Sequence, residues 1–230
     1  MNAWSNSWRR FGTCNAPSFE KTESGMLLRI QDYIASFPLT FPFLDPAIEP
    51  WKLTTDLSHF VERFTASVDL SGFEKAAGIL VHQEATIERG AMIKPPAIIS
   101  AACFIASTAY LRGGVVLDRG VIIGPACELK STIVMASSRV AHLSFVGDSL
   151  IGSDVNIEAG VVVANHFNEL REQEVTVRVG GQAVRTGVAT FGALIGDHSR
   201  LGANAVLSPG TILPPHSVVA RLELVHQGAG

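Results

Sequence analysis

The chain has 230 residues, of which 47% are hydrophobic and 17% charged, and its formal net charge is −3. That is long enough to bury a sizeable core and too apolar for disorder along the whole chain. The charge excludes a nucleic-acid partner held by bulk basicity, so any anion must be recognised by a local cluster.

The N-terminal run MNAWSNSWRRFGTCN lacks the apolar stretch of a secretory signal. No later stretch is long enough to span a bilayer. A cytoplasmic protein without a membrane partner is expected. Cys14, Cys103 and Cys127 have neither a disulfide framework nor metal-type spacing, so they read as small buried residues in a reducing compartment.

Residues 1–25 are polar and aperiodic and read as a flexible N-terminal arm. Met26, Leu27, Ile30 and Ile34 suit a short helix over 26–36. Four prolines between Phe37 and Lys52 predict an extended, packed connection. Asp56 can cap a helix whose apolar face is Leu57, Phe60, Val61 and Phe64. Residues 26–75 thus read as a helical preface packed on the remainder of the chain.

From residue 76 to 225 a period of six dominates. Val81, Ile87, Ile93, Ile99, Ile105, Leu111, Leu117, Ile123, Leu129 and Met135 are ten aliphatic residues in register. Small or aliphatic residues stand four places after nine of them. The pattern resumes at Ile151, Ile157 and Val163, and again at Ile195, Leu201, Leu207, Leu213 and Val219. No helix or ordinary strand holds this period. Each unit reads as a short strand and a corner, with one aliphatic side chain inward and successive coils hydrogen-bonded in parallel.

Two breaks stand out. The spacing of ten between Ala141 and Ile151 predicts a bulge there. About thirty residues leave the repeat between Val163 and Ile195. Inside that loop, 166–191, Glu174–Val179, Gly180-Gly181 and Gln182–Thr186 read as a hairpin. Such an excursion lines a binding site or merely decorates the solenoid. Its apolar side is expected to reach a neighbouring subunit.

This repeat resembles the hexapeptide family of left-handed parallel β-helices, in which three units make a triangular coil of 18 residues. The resemblance implies a mainly β, left-handed β-helix behind a short helical segment. Members are mostly acyltransferases and many are trimers. With such coils, positions 18 apart stack. Lys94, Arg112 and Lys130 then form a ladder of cations on one face. It is either a phosphate site or three solvated charges. His142 falls above Gly124 and Ala106, small residues that leave room for a ligand, and is either a general base or a structural histidine. His198 and His216 are also 18 apart and read as corner histidines in solvent, or as a stacked pair facing a partner in a trimer, without a metal-type ligand set.

The run CELKSTIVMASSRVAHLSFVGDSLIGSDVNIEAGVVVANHFNE is similar to the acetyltransferase domain of bifunctional N-acetylglucosamine-1-phosphate uridyltransferase/glucosamine-1-phosphate acetyltransferases. It is also similar to the C-terminal half of archaeal sugar-1-phosphate nucleotidylyltransferases, with a return strand FGALIGD. The likeness covers roughly residues 80–220. It implies His142 as general base and Arg112 and Lys130 as holders of a sugar phosphate, with Lys94 beside them as the further cation of the ladder. It implies Asn156 and Asn165 as sugar contacts, and Arg171 at a place where relatives carry lysine. Ala159 and Ala203 are implied beside acetyl-CoA. Phe145 replaces a tyrosine that contacts substrate, and Glu158 replaces a glycine next to the acyl site. No glycine-rich nucleotide loop is legible, so a nucleotidyltransferase half is not expected. The implied protein is a homotrimeric, metal-free acetyltransferase. It would move an acetyl group from acetyl-CoA to an amino-sugar phosphate or related sugar. The alternative is a non-catalytic hexapeptide scaffold or sugar-phosphate-binding protein.

Overall fold

The period-six aliphatics point into the centre of a parallel β-solenoid in the computed structural model, which describes residues 21–22, 25–26, 28–65, 70–169, 171 and 174–226. Three faces build the triangle. Ile79–His82, Ala97–Ile99, Leu150–Ile151, Ala193–Ile195 and Thr211–Leu213 lie on the first face. The second is a seven-stranded parallel sheet from Thr86–Ile87 to Val218–Val219. The third carries Met92–Ile93, Phe145–Gly147, Val162–Val163, Val206–Leu207 and Leu224–Val225. Tyr110–Leu117 and Glu128–Val134 run round the corner from the third face to the first. The inward residues Ile99, Ile105, Leu111, Leu117, Ile123 and Leu129 are fully buried. Left-handed backbone at corner residues such as Ala102 (φ 57°), Gly120 (φ 72°) and Asp154 (φ 51°) turns each coil tightly.

The register differs from the sequence expectation in two places, Ser131 and Asp148, with consequences downstream: Glu128 pairs with Phe145 and Phe145 with Val162, each 17 and not 18 residues on. Arg112 pairs with Lys130, but Val115 pairs with Thr132, so the second strand is one residue shorter at the corner. Ser131, at φ 48°, replaces the Gly113-Gly114 pair and hydrogen-bonds Gly113 O at 2.8 Å. Val134, not Met135, is therefore the inward residue, paired with Leu117 and Ile151. The next inward residues are Val140 and Val146. The bulge expected between Ala141 and Ile151 is instead an ordinary strand, Phe145–Gly147.

Outward residues of the first face are also aliphatic, and they are covered. Leu80, Ile98, Val116, Ile133, Leu150, Leu194 and Ile212 are each at most 4% exposed. The cover is α1 (Phe37–Thr40), α2 (Pro50–Thr55) and α3 (Leu57–Thr65), preceded by a 3-10 turn at Ile30–Asp32. The expected helix over 26–36 is thus reduced to that turn. Two of the four prolines start helices instead of holding the chain extended, because the first turn of a helix needs no proline N–H. On α3 Leu57, Phe60, Val61 and Phe64 are all buried, as the sequence pattern requires. Gly114 lets α3 approach the sheet: a Cβ there would lie 2.8 Å from the Ser58 backbone nitrogen. Phe41 anchors the cover, with the Phe37, Phe60 and Phe64 rings at 4.9, 5.4 and 5.1 Å.

The hairpin forms as predicted, with Thr176–Val179 paired to Gln182–Arg185. Its apolar side does not reach out to a neighbour. Val175, Val177 and Val179 are buried in the same cluster as Leu194 and Ile212 of the first face. Gly210 makes that contact possible, since a Cβ there would lie 2.6 Å from Thr176 O. Of the expected flexible arm, residues 1–20 lie outside the described residues, while Lys21–Thr22 pairs with Gly25–Met26.

Candidate functional site

The corner between the second and third faces gathers several of the predicted residues. Hydrogen bonds climb it coil by coil. Leu143 N–H donates to Pro125 O at 3.1 Å, Gly160 N–H to His142 O at 2.8 Å, Asn204 N–H to Ala159 O at 2.9 Å, and Leu222 N–H to Ala203 O at 3.0 Å. Pro125, His142, Ala159, Ala203 and Arg221 therefore occupy one column. His142 does not stack on Gly124 and Ala106. The lost residue at Ser131 moves it one place on, and Ala141 takes the position above Gly124, whose missing Cβ makes room for the Ala141 carbonyl. The corrected stacking sets His142 directly above Pro125, with Ala159 and then Ala203 on the following coils. His142 is exposed, and its imidazole has no hydrogen-bond partner among the described residues. A neutral imidazole so placed is able to accept a proton.

Glu158 adjoins this column. Its carboxylate accepts the Ala203 N–H at 2.8 Å and pairs with Arg221 at 2.7 and 2.9 Å. The Arg221 guanidinium, and then the Ala203 N–H, hold the Glu158 carboxyl below the usual range. The pair borders an open groove on the second face with Asn156, Arg200, Gly202 and Ala220.

The cations of the third face are adjacent, as the spacing of 18 predicts, but Arg112 and Lys130 are compensated. Arg112 pairs with Glu128 at 2.7 Å and lies 5.9 Å from the Tyr110 ring centre. Lys130 donates to both oxygens of Asp148 at 2.7 and 3.0 Å. The Asp148 side chain is only 3% exposed. It also accepts from Asn165 Nδ2, and Asn165 Oδ1 lies 3.2 Å from His166 Nδ1. Gly147 leaves the space into which Phe145 and Asn165 reach, both 2.9 Å from where a Cβ would stand. Lys94 is exposed and has no ion partner among the described residues.

The structure thus brings together Arg112, Lys130, Phe145 and Asn165 on the third face, and His142, Ala159 and Ala203 at the corner. Asn156 stands apart on the second face, between Arg139 and Arg200. Arg171 is exposed in the loop leaving the third face. The sequence reading missed Glu128, Asp148 and His166. Asp148 had a signal, because it is the next position 18 residues after Lys130.

Elsewhere, His198 and His216 stack at 4.9 Å, and His198 Nδ1 lies 3.1 Å from Asp154. Arg200, and then His198, hold the Asp154 carboxyl below its usual range. Burial pushes the Cys103 thiol up to about 11 and raises Cys127 as well, so both are inert thiols near neutral pH. Among the described residues no cluster of three or more His, Cys, Asp or Glu side chains is arranged to hold a metal ion. No helix among them is long and apolar enough to cross a membrane.

The chain is similar in sequence to known proteins. Residues 105–227 match the family described as the GMPPB C-terminal domain. A bifunctional sugar-1-phosphate nucleotidylyltransferase/acetyltransferase of Sulfurisphaera tokodaii is 31% identical over 187 residues, covering 79% of this chain and 46% of the relative. A bifunctional protein GlmU of Methanococcus vannielii is 37% identical over 117 residues, covering 50% of this chain and 27% of the relative. The putative uncharacterized acetyltransferase YaiX of Escherichia coli is 33% identical over 144 residues, covering 63% of this chain and 62% of the relative. The chain therefore spans less than two thirds of the length of each.

Proposed function

Because the chain belongs to the GMPPB C-terminal domain family, and relatives alongside it are named acetyltransferases, we propose that it transfers an acetyl group from acetyl-CoA to the amine of an amino-sugar phosphate or related sugar. The observation that carries this reading is the unpartnered His142 imidazole in one column with Ala159 and Ala203, on the corner that bounds the third face and its cations.

In the proposed reaction the acceptor amine attacks the thioester carbonyl carbon, and His142 takes the proton the nitrogen loses. The carbon–sulfur bond then breaks, and the thiolate recovers that proton from the imidazolium. Outward amides of the corner, Ala159 first, would stabilise the oxyanion that forms between the two steps. Arg112 and Lys130 would hold the phosphate, with Lys94 at the rim, at the cost of competing with Glu128 and Asp148. Phe145 and Asn165 would border the sugar and Arg171 would reach it from the loop. Cytoplasmic location and independence from metal belong to the same reading.

The active unit in this proposal is a homotrimer. Its support is the outward column of the third face, where Met92, Val206 and Leu224 are 52%, 36% and 65% exposed. Packing that column against the second face of a neighbour would bring a second copy's Asn156 towards the acceptor site. Light scattering that finds a stable monomer at micromolar concentration contradicts the trimer.

A second reading, a non-catalytic scaffold, is favoured by one observation: Glu158 already occupies the Ala203 N–H. An assay of coenzyme A release with a panel of hexosamine phosphates separates the two. Acetyl transfer predicts turnover that His142→Ala lowers about 10²–10⁴-fold while KM for acetyl-CoA stays similar. Equal inactivity of wild type and variant, with no thermal shift by acetyl-CoA, favours the scaffold.

A further inference from the structure

Two positions run down the corner between the second and third faces, and both are mostly filled by small residues. The inner one reads Ala106, Gly124, Ala141, Glu158, Gly202, Ala220. The outer one reads Ser107, Pro125, His142, Ala159, Ala203, Arg221. The rows begin one coil earlier with Glu88 and Arg89; beyond that first coil, and apart from His142, only Glu158 and Arg221 carry long side chains. They are not neighbours: the coil of Gly202 and Ala203 lies between them, and they meet across it. Gly202 lets the next coil close up beneath the pair, since its Cβ would lie 2.6 Å from the Arg221 nitrogen.

The outer position also presents backbone N–H groups to the groove. Ala159 N–H has no acceptor among the described residues. Ala203 N–H, one coil on, is taken by the Glu158 carboxylate. Near the start of the solenoid Glu88 accepts the equivalent Ser107 N–H at 2.7 Å. Two separate carboxylates thus find these amides, so the position is one that binds an oxygen ligand. At Ala203 the oxygen comes with a guanidinium attached.

We propose that the Glu158–Arg221 pair is a displaceable strap over the acyl-donor groove, which an incoming acyl thioester opens by taking the place of the Glu158 carboxylate. The proposal rests on the acyl-transfer reading above. On opening, the Ala203 N–H joins that of Ala159 as a second donor for the thioester oxygen, and Arg221 exchanges a carboxylate for a phosphate of the donor's nucleotide end. The strap is built to open. The side chains are 33% and 72% exposed, a setting in which an ion pair adds little to stability. Glu158 is then a residue that competes with the donor, and Arg221 one that first holds the competitor and later the ligand.

The two ends of the strap make opposite predictions, which a purely structural ion pair would not. Titration calorimetry of acetyl-CoA into wild type, Glu158→Ala and Arg221→Ala is the test. Glu158→Ala is expected to bind about 3–10-fold more tightly, because the competitor is gone, and Arg221→Ala about 3–10-fold more weakly, because the phosphate contact is lost. Glu158→Gln, which keeps an oxygen for Ala203 but loses the charge, should fall between wild type and Glu158→Ala. Effects of the same sign at both ends, or no change at Glu158, with wild-type binding intact, overturn the strap and leave the acyl-transfer reading standing. No acetyl-CoA binding by any of the four proteins overturns both.

Discussion

The first face and the third face share the same inward chemistry and differ in what they present outward and in what covers it. On the first, seven aliphatic residues lie under α1–α3 and the hairpin, and none is more than 4% exposed. On the third, Met92, Val206 and Leu224 are bare, interspersed with Tyr110, Glu128 and Phe145. Inward residues do not distinguish the faces, because every coil fills its centre with the same aliphatics. What differs is the cover. The face with its own helices is finished as a surface, while the uncovered faces and the corner between them retain the exposed histidine, the cations and the groove. Function in this fold is therefore sought where the chain has not covered itself.

The sharpest way to break the comparison is to damage the cover. Phe41, 1% exposed among three other rings, should cost about 3–5 kcal/mol in denaturant unfolding when replaced by alanine. Activity per folded molecule should be unchanged. A loss below about 1 kcal/mol would mean that the helices are an appendage and not part of the core.

On the open face, Lys130→Ala leaves the Asp148 side chain, 3% exposed, without its cation. Removing one partner of a pair buried on one side should destabilise the fold by about 3 kcal/mol. The double change with Asp148→Asn should recover most of that loss, and failure to recover it would show that Lys130 contributes chiefly through packing. Arg112 offers the cleaner functional test, since its pair with Glu128 is about one-third exposed on both sides. Arg112→Ala should weaken a phosphorylated acceptor by about 1.5–3 kcal/mol and leave the unphosphorylated sugar unchanged. Equal losses for both acceptors would remove Arg112 from the phosphate site.

The smallest expected effect concerns Asp118, on the covered face. Burial raises its carboxyl above the ordinary value, opposed in part by the Arg119 and Ala136 N–H groups. A raised carboxyl favours the protonated folded state, so its stabilising contribution is present at low pH and is lost as pH rises through the folded value. Asp118→Asn, neutral throughout, should be more stable than wild type at pH 7, with the gap closing near pH 4. Denaturation midpoints at both pH values check this, and a gap of the same size at both contradicts it.

The solenoid was legible because its signal repeats: from Ile99 to Leu129 each aliphatic at the sixth place is buried. Legibility ended at Ser131, where one residue is lost. Val134 and Met135 are both aliphatic and adjacent, so composition cannot say which points inward. Only the hydrogen-bond register does. That residue decides what lies beneath His142, and it replaces Gly124 and Ala106 with Pro125 and Ser107. The proline segment within the helical preface differs from its expected extended form for another reason. Pro38 and Pro50 look like breakers in sequence, yet in the first turn of a helix they start it. The hairpin was legible from Gly180-Gly181, but not its docking, which depends on Gly210 some thirty residues later. The carboxylates of the site were not legible as partners of the cations because Glu128 stands two places before Lys130 yet pairs with Arg112 of the preceding coil, and Asp148 is brought to Lys130 only by the coil stacking.

The central claim is that acyl chemistry occurs at the corner between the two uncovered faces. The measurement that tests it most directly is a crystal structure of the protein with acetyl-CoA bound. The account predicts the thioester carbonyl within hydrogen-bond reach of the Ala159 or Ala203 N–H, with the His142 imidazole facing the side from which an amine would attack. A donor bound at the helix-covered first face, or on the uncovered faces but away from the Ala159–Ala203 column, would contradict it.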